Sequence, residues 1–316
     1  MDNRKSLSLG QSAPDKRLAK KRRKKKIKQA IGNIPHSLMK LVGLSPAEAP
    51  GMASANDQEA EYWANVKKEF LKEDNFENFK NWPIVRKVPI YKDNDFLEHY
   101  LRDVTAYLMK MDGATLAKWK AVLKEPFLGH SKESYEVSKR TILDDTECTN
   151  WSLKSAHHVL TFEEMSGKSI LDYDRIVEFG AGIGEVARTI RDLGFRGQYY
   201  IYDLPEVGRI SSFYTDGWAK YCANHKDIPT NGKTLFIATW SLSEVPVDFR
   251  DQVVTHFSGS DFLVVFQNHI FEIDNQDYFI NTFPYLANVF YRLKPIEWHH
   301  GGGGNFYLIG RKISST

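Results

Sequence analysis

Cysteine is nearly absent from these 316 residues: Cys148 and Cys222 are the only two. Two thiols so far apart support neither a disulfide framework nor a cysteine zinc site, so a reducing, cytoplasmic setting is expected. Long apolar runs are missing too. No stretch reaches the length of a membrane span, and no apolar segment follows the basic N-terminus as a signal peptide requires. A dinucleotide fingerprint of the form G-x-G-x-x-G is also lacking, because its last glycine would fall at Glu185. An acid at that helix start would repel a pyrophosphate, the group such a helix end otherwise attracts.

The charge balance hides a segregation. The chain is +3 overall, yet residues 1–28 carry +10 and the remainder −7. The run Lys20 to Lys26 cannot enter a core and is expected to be disordered or frayed. Three uses compete for it: attraction to an anionic membrane surface through residues 16–28, nucleic-acid tethering, and an address signal, beside a solvated tail with no partner. Ile27, Ile31, Ile34, Leu38 and Leu41 follow near helical spacing, interrupted by Gly32 and Pro35. Residues 43–56 have linker composition, so 1–56 reads as a basic arm and linker.

What is present is a glycine turn between a strand and a helix. Arg175 to Phe179 is an apolar strand, Gly180, Gly182 and Gly184 alternate, and a helix is predicted from Glu185 to Leu193. Glycines there permit a tight turn and let a ligand lie against the main chain. A second apolar strand, Gln198 to Tyr202, ends on Asp203, nineteen residues after Gly184. A carboxylate in that place is positioned to accept both hydroxyls of a ribose. A glycine turn in an ordinary α/β domain is the plain alternative.

The pattern acidic-x-G-x-G-x-G, from Glu178 to Gly184, with Asp203 closing the next strand, resembles motif I of the class I S-adenosylmethionine-dependent methyltransferases. Tyr202-Asp203-Leu204-Pro205-Glu206 followed by a helix that ends in a tyrosine, and Ser241-Leu242-Ser243-Glu244 after the next strand, narrow the resemblance to the sugar O-methyltransferase family. It covers residues 175–312. It implies S-adenosyl-L-methionine as cofactor, with Glu178, Gly180, Gly182 and Gly184 along its amino-acid side, Asp203 on the ribose and Leu204 against adenine. Ala181 and Ser241 complete the expected cofactor-binding set. The implied fold is a Rossmann-like α/β sheet with an antiparallel last strand.

Further strands are predicted at Leu235 to Trp240, Phe262 to Phe266, Tyr291 to Trp298 and Phe306 to Gly310. Helices are predicted at Pro205 to Asn224, Phe249 to Phe257 and Gln276 to Asn288. The interval from Asp203 to Leu235 leaves little room for a third strand, so that sheet edge is expected to be abbreviated. Upstream, helices are predicted from Asp57 to Glu73 (with Tyr62, Trp63, Val66 and Phe70 on one face), from Phe96 to Met111 and from Leu116 to Leu123. Residues 57–165 are therefore read as a helical lobe and acceptor lid, and 166–316 as the cofactor-binding domain. Tyr135, Trp151, His157 and His158 are lid candidates, although paired histidines on a helix surface are more often solvated.

In open parallel sheets ligands sit at the carboxyl ends of the strands. The loops there offer Trp240, Ser241, Ser243 and Glu244; Gln267, Asn268, His269 and Glu272; and His299 and His300. A sugar hydroxyl needs a base or an acidifying metal, and histidine is the usual base. The catalytic candidates are His269, His300, His299 and Glu244, each histidine being equally readable as an exposed or structurally bonded ring. Of the adjacent pair His299 and His300, one at most faces the site. Glu244, Glu272, Asp274 and Asp277 make a Mg²⁺ alternative, ranked lower because the two aspartates suit a helix start. Gly301 to Gly304 read as a flap or a loose hairpin turn.

The expected activity is O-methylation of a sugar hydroxyl of a glycan or activated sugar. Methylation of a phenolic or polyketide is the alternative, and a non-catalytic subunit that tethers a partner through residues 1–42 is a reading of another class. Stable nucleic-acid binding is not expected, because the rim lacks the Asn/Asp-Pro-Pro-aromatic motif of base amino methyltransferases. The expected partner is a small-molecule or glycan acceptor.

Overall fold

The computed structural model describes residues 64–313 apart from 66, 73–75, 83–84, 86–93, 125–128, 131, 271–272 and 297–303. The basic arm, the linker, the start of the helix expected from Asp57, His299, His300, Gly301 to Gly303 and Glu272 lie outside the described residues.

Before the glycine turn come α1 (Asn94–Leu108), α2 (Gly113–Leu123) and α3 (Lys132–Ser138). A hairpin of β1 (Lys139–Ile142) and β2 (Thr146–Thr149) leads into the long α4 (Asn150–Ser166). Asp112 caps α2 by accepting from Ala114 and Thr115 N–H groups, and Thr149 and Ser152 form a reciprocal capping box on α4. Gly167, in the left-handed region, ends α4.

The α/β part then runs β3 (Arg175–Phe179), α5 (Glu185–Asp192), β4 (Gln198–Tyr202), α6 (Pro205–Tyr214), β5 (Lys220–Cys222), β6 (Thr234–Thr239), α7 (Val247–His256) and β7 (Asp261–Gln267). A two-residue pairing of β8 (His269–Ile270) with β9 (Ile273–Asp274) follows. β10 (Val289–Ile296) and β11 (Asn305–Lys312) close the chain.

Seven strands form one sheet in the order β5-β4-β3-β6-β7-β11-β10. The five from β3 to β7 are parallel, β11 inserts antiparallel beside β7, and β10 pairs antiparallel with β11. This is the Rossmann-like α/β class I methyltransferase fold with its antiparallel last strand. The chain works outward from β3 to β5, then crosses back to β6 on the other side of β3. That reversal opens a crevice at the carboxyl ends of β3 and β6, where open sheets bind their ligands.

Neighbouring strand residues face opposite layers, as a pleated strand requires. Ile176, Leu235, Leu263 and Tyr307 pack with Tyr100, Trp119, Phe162 and Ile190 of α1, α2, α4 and α5. Val177, Phe236, Phe262 and Leu308 pack with Val253, Phe257, Phe279 and Phe283 on the other side. Both faces are covered, which explains the nearly continuous apolar runs of β6 and β7. Among the described residues no helix is long and apolar enough to cross a membrane.

Two expected helices are corrected. The one predicted from Pro205 to Asn224 stops at Tyr214. Asp216 and Gly217, both at positive φ, turn the chain into the three-residue edge strand β5, so the third strand exists in the shortened form that the spacing suggested. The helix predicted from Gln276 to Asn288 is broken into Asn275–Asp277, a π segment at Tyr278–Thr282 and Phe283–Ala287. Pro284 has no N–H to give the Ile280 carbonyl, and the Tyr291 hydroxyl bonds that carbonyl instead.

Candidate cofactor and acceptor site

The glycine turn is shaped by close approach at one position and by open space at another. Gly180 has φ +67, and a Cβ there would lie 2.2 Å from the Ser241 Cβ. The Ser241 hydroxyl donates to the Phe179 carbonyl, clasping the loop after β6 to the end of β3. Gly182 has φ +56, and nothing lies within 4 Å of where its Cβ would be. Its N–H donates to Asp203 Oδ2 at 2.9 Å, while the Leu204 N–H donates to Oδ1 at 2.7 Å. Gly184, at φ +85, starts α5 and packs against Ser211. Ala181 is half-buried in the same turn.

Three carboxyl groups converge on this crevice. Burial pushes Asp203 up to about 7, against the two backbone donors that favour its charged form. Glu178, on β3 and 1% exposed, is likewise pushed up to about 7 by burial, although the Tyr199 hydroxyl donates to it at 2.7 Å. Glu244, at the end of a short 3-10 turn (Ser241–Glu244), is raised to about 7 by burial. The cation that bears on Glu178 and Glu244 is Lys154, lowered to about 8 by its own desolvation. Its ammonium stands 4.5 Å from the centre of the Trp240 ring. Trp240 holds a strained φ of +69, anchored by its N–H to the Val265 carbonyl at 2.7 Å and by Nε1–H to Asn305 at 3.1 Å.

Among the described residues the crevice is thus short of positive charge. A ligand bearing a cation relieves three carboxyls, Glu178 buried and Asp203 and Glu244 half-buried, whereas a pyrophosphate meets their repulsion. Glu185 is a fourth acid nearby, and its charge helps to raise Glu178. Burial works to raise Glu185 as well, but Arg188 at 2.8 Å and Lys80 at 3.6 Å hold its carboxyl below the usual range. Lys80 also donates to the Tyr214 hydroxyl at 2.9 Å, so Glu185 pins the segment around Phe79 and Trp82 over the glycine turn.

The sequence-derived candidates divide accordingly. Glu178, Gly180, Ala181, Gly182, Gly184, Asp203, Leu204 and Ser241 come together at the crevice, and Glu244 joins them. His269 lies exposed on the β8–β9 pairing beyond β7, with no contact to this group among the described residues. Asp274 spends its carboxylate on the N–H of Asp277, capping the following turn. Among the described residues no three His, Cys, Asp or Glu side chains are grouped to hold a metal ion.

Sequence reasoning missed Lys154 and misplaced the histidine pair. Trp151, Lys154 and His158 share one stripe of α4, directed at the glycine turn and Trp240. His157 and His158 are not a solvated surface pair; they are 2% and 0% exposed. The spacing of three, four and seven residues along the helix before β3 was the available signal.

No protein-family model matches the chain, and no curated protein matches it in sequence. Solved structures do. Magnesium protoporphyrin IX methyltransferase from Synechocystis, solved with S-adenosylhomocysteine, is 8% identical, with 67% of this chain and 100% of that chain covered and a TM-score of 0.40. The YcgJ protein from Bacillus subtilis is 10% identical, covering 50% and 100% at 0.39. Protein 1320 of Thermoplasma acidophilum is 17% identical, covering 52% and 91% at 0.39. These scores are low, and the fold assignment rests on strand order and direction.

Proposed function

We propose that this chain is an S-adenosylmethionine-dependent O-methyltransferase whose acceptor is a sugar hydroxyl of a glycan or activated sugar. The observation that carries the reading is the open space beside Gly182, bounded by Asp203, Glu178 and Glu244 with one nearby lysine. When bound, the cofactor supplies a methyl group on a positively charged sulfur. The carboxyls complement that sulfonium and the cofactor's ammonium, which no phosphate-bearing dinucleotide offers. Asp203, held by two backbone N–H groups, keeps further lone pairs for ribose hydroxyls. Gly182 admits the ligand where any side chain would intrude.

The acceptor reading rests on the family resemblance and on the rim chemistry. Trp240 offers an aromatic face, and Lys154 and Glu244 offer a donor and an acceptor for hydroxyls. The chain's task is to align the hydroxyl with the methyl carbon, exclude water and remove one proton. The test is transfer of a radiolabelled methyl group to methyl glycosides and nucleotide sugars, with catechol as the phenolic control. Label in a sugar product supports the reading. Label in catechol alone moves the acceptor to the phenolic class.

A further inference from the structure

His157 and His158 are consecutive residues of α4 whose rings both reach one hydroxyl. Tyr307 Oη, on β11, is 2.7 Å from Nδ1 of His157 and 2.6 Å from Nδ1 of His158. Nε2 of His157 lies 3.3 Å from Asp103 Oδ2 on α1. Nε2 of His158 is buried with no hydrogen-bond partner. The His158 ring stands 5.5 Å from that of Trp240, the residue beneath the Lys154 ammonium.

These contacts fix the tautomers of both rings. Burial works to keep both imidazoles neutral, so each carries one N–H. A carboxylate only accepts, so His157 places its proton on Nε2, facing Asp103, and its Nδ1 is bare. Tyr307 therefore donates its O–H to His157 Nδ1. The same oxygen then accepts from His158, whose proton must sit on Nδ1. What remains is a bare lone pair on His158 Nε2, completely buried beside the crevice.

We propose that His158 is the general base of the transfer, held in its working tautomer by Tyr307, His157 and Asp103. The proposal rests on the methyltransferase reading above. As the acceptor oxygen bonds to the methyl carbon, the carbon–sulfur bond breaks and its electron pair stays on sulfur. The hydroxyl proton passes to Nε2, and the imidazolium so formed donates through Nδ1–H to Tyr307. The ring is buried in the resting chain, so the proton leaves to water while the crevice is open for product release. A weakly basic imidazole suffices, because the alcohol proton becomes strongly acidic as positive charge builds on its oxygen. His158 is the catalytic residue here. Tyr307, His157 and Asp103 are positioning residues, arranged on the same logic as a nucleophile's base and its orienting partner.

The test needs two readouts. With ¹⁵N-histidine-labelled full-length protein, long-range ¹⁵N–¹H spectra should show His158 as the Nδ1–H tautomer and His157 as the Nε2–H tautomer. Tyr307→Phe should lose that fixed pattern for His158. A proton on Nε2 of His158 in the wild-type protein overturns the proposal, whether or not an acceptor is in hand. Using the sugars labelled in the transfer assay, His158→Ala should lower kcat at least a hundredfold, and Tyr307→Phe about tenfold with KM unchanged. S-adenosylhomocysteine affinity should stay within twofold of wild type in both variants. Full turnover in His158→Ala, or loss that appears only in Glu244→Gln, assigns the base elsewhere. Failure of the wild-type protein to bind S-adenosylhomocysteine counts against the methyltransferase reading instead.

Discussion

The two faces of the sheet are built from different chemistry. Beneath α7, the core is mainly phenylalanine on phenylalanine: Phe236 lies 5.0 Å from Phe257 and 5.4 Å from Phe262, and Phe266 stacks on Phe279 at 4.4 Å, with the buried Arg250 over Phe279 bonded to Asn275 at its margin. Beneath α4 and α5 the core is equally closed but contains Glu178, Glu185, Arg188, His157, His158 and Tyr307. Burying such groups costs several kcal/mol for each one left uncompensated, so the second face is stabilised only as far as its hydrogen bonds are made. Natural cores accept that cost mainly where the groups are used. The polar face is the one that meets the glycine turn, Asp203 and Trp240, and the apolar face serves as its rigid support.

This contrast can be broken most severely from the apolar side. Phe262→Ala should destabilise the fold by about 3–5 kcal/mol, read by urea denaturation, with cofactor affinity unchanged in the fraction that remains folded. Next in size, Gly182→Val fills the open space beside Asp203 and forces a β-branched residue to positive φ. It should abolish S-adenosylhomocysteine binding by calorimetry while lowering stability by about 1–3 kcal/mol.

A smaller effect separates the faces by pH. Glu178, Asp203 and Glu244 are all raised to about 7 in the folded chain, from ordinary values of 4.5, 3.8 and 4.5. Between roughly pH 4 and 7 the folded state then binds more protons than the unfolded state, so stability falls as pH rises through that window. The ligand-free melting temperature should drop from pH 5 to pH 7.5, and Glu178→Gln should flatten the drop. A melting temperature that rises across this interval, with no change in the variant, would contradict the burial described for these carboxyls. The smallest effect is expected at Tyr285, which is 85% exposed: Tyr285→Ser should change stability by no more than about 0.5 kcal/mol.

Legibility followed the same division. The strands Arg175–Phe179 and Gln198–Tyr202 were readable to the residue, because apolar runs of strand length ended on glycine or aspartate. The antiparallel last strand was legible through the family resemblance, which the glycine-rich return before Phe306 fits. The hairpin β1–β2 and helix α4 were not. The α4 sequence buries Ser155, His157, His158 and Thr161 along with its apolar residues, so it shows no clear amphipathic period. A helix buried nearly all round, and polar where it meets the site, looks like a surface helix in one dimension. Lys154 was hidden for that reason. The π segment before Pro284 escaped because proline announces a break but not the way in which the chain absorbs it.

The central claim is that the polar crevice holds a cationic, phosphate-free nucleoside cofactor. Isothermal titration of the full chain with S-adenosylmethionine, S-adenosylhomocysteine and NAD tests it most directly. The account predicts binding of both sulfur compounds in the micromolar range, abolished by Gly182→Val and weakened by Asp203→Ala, with no heat from NAD. Binding of NAD, or of neither sulfur compound, would contradict it.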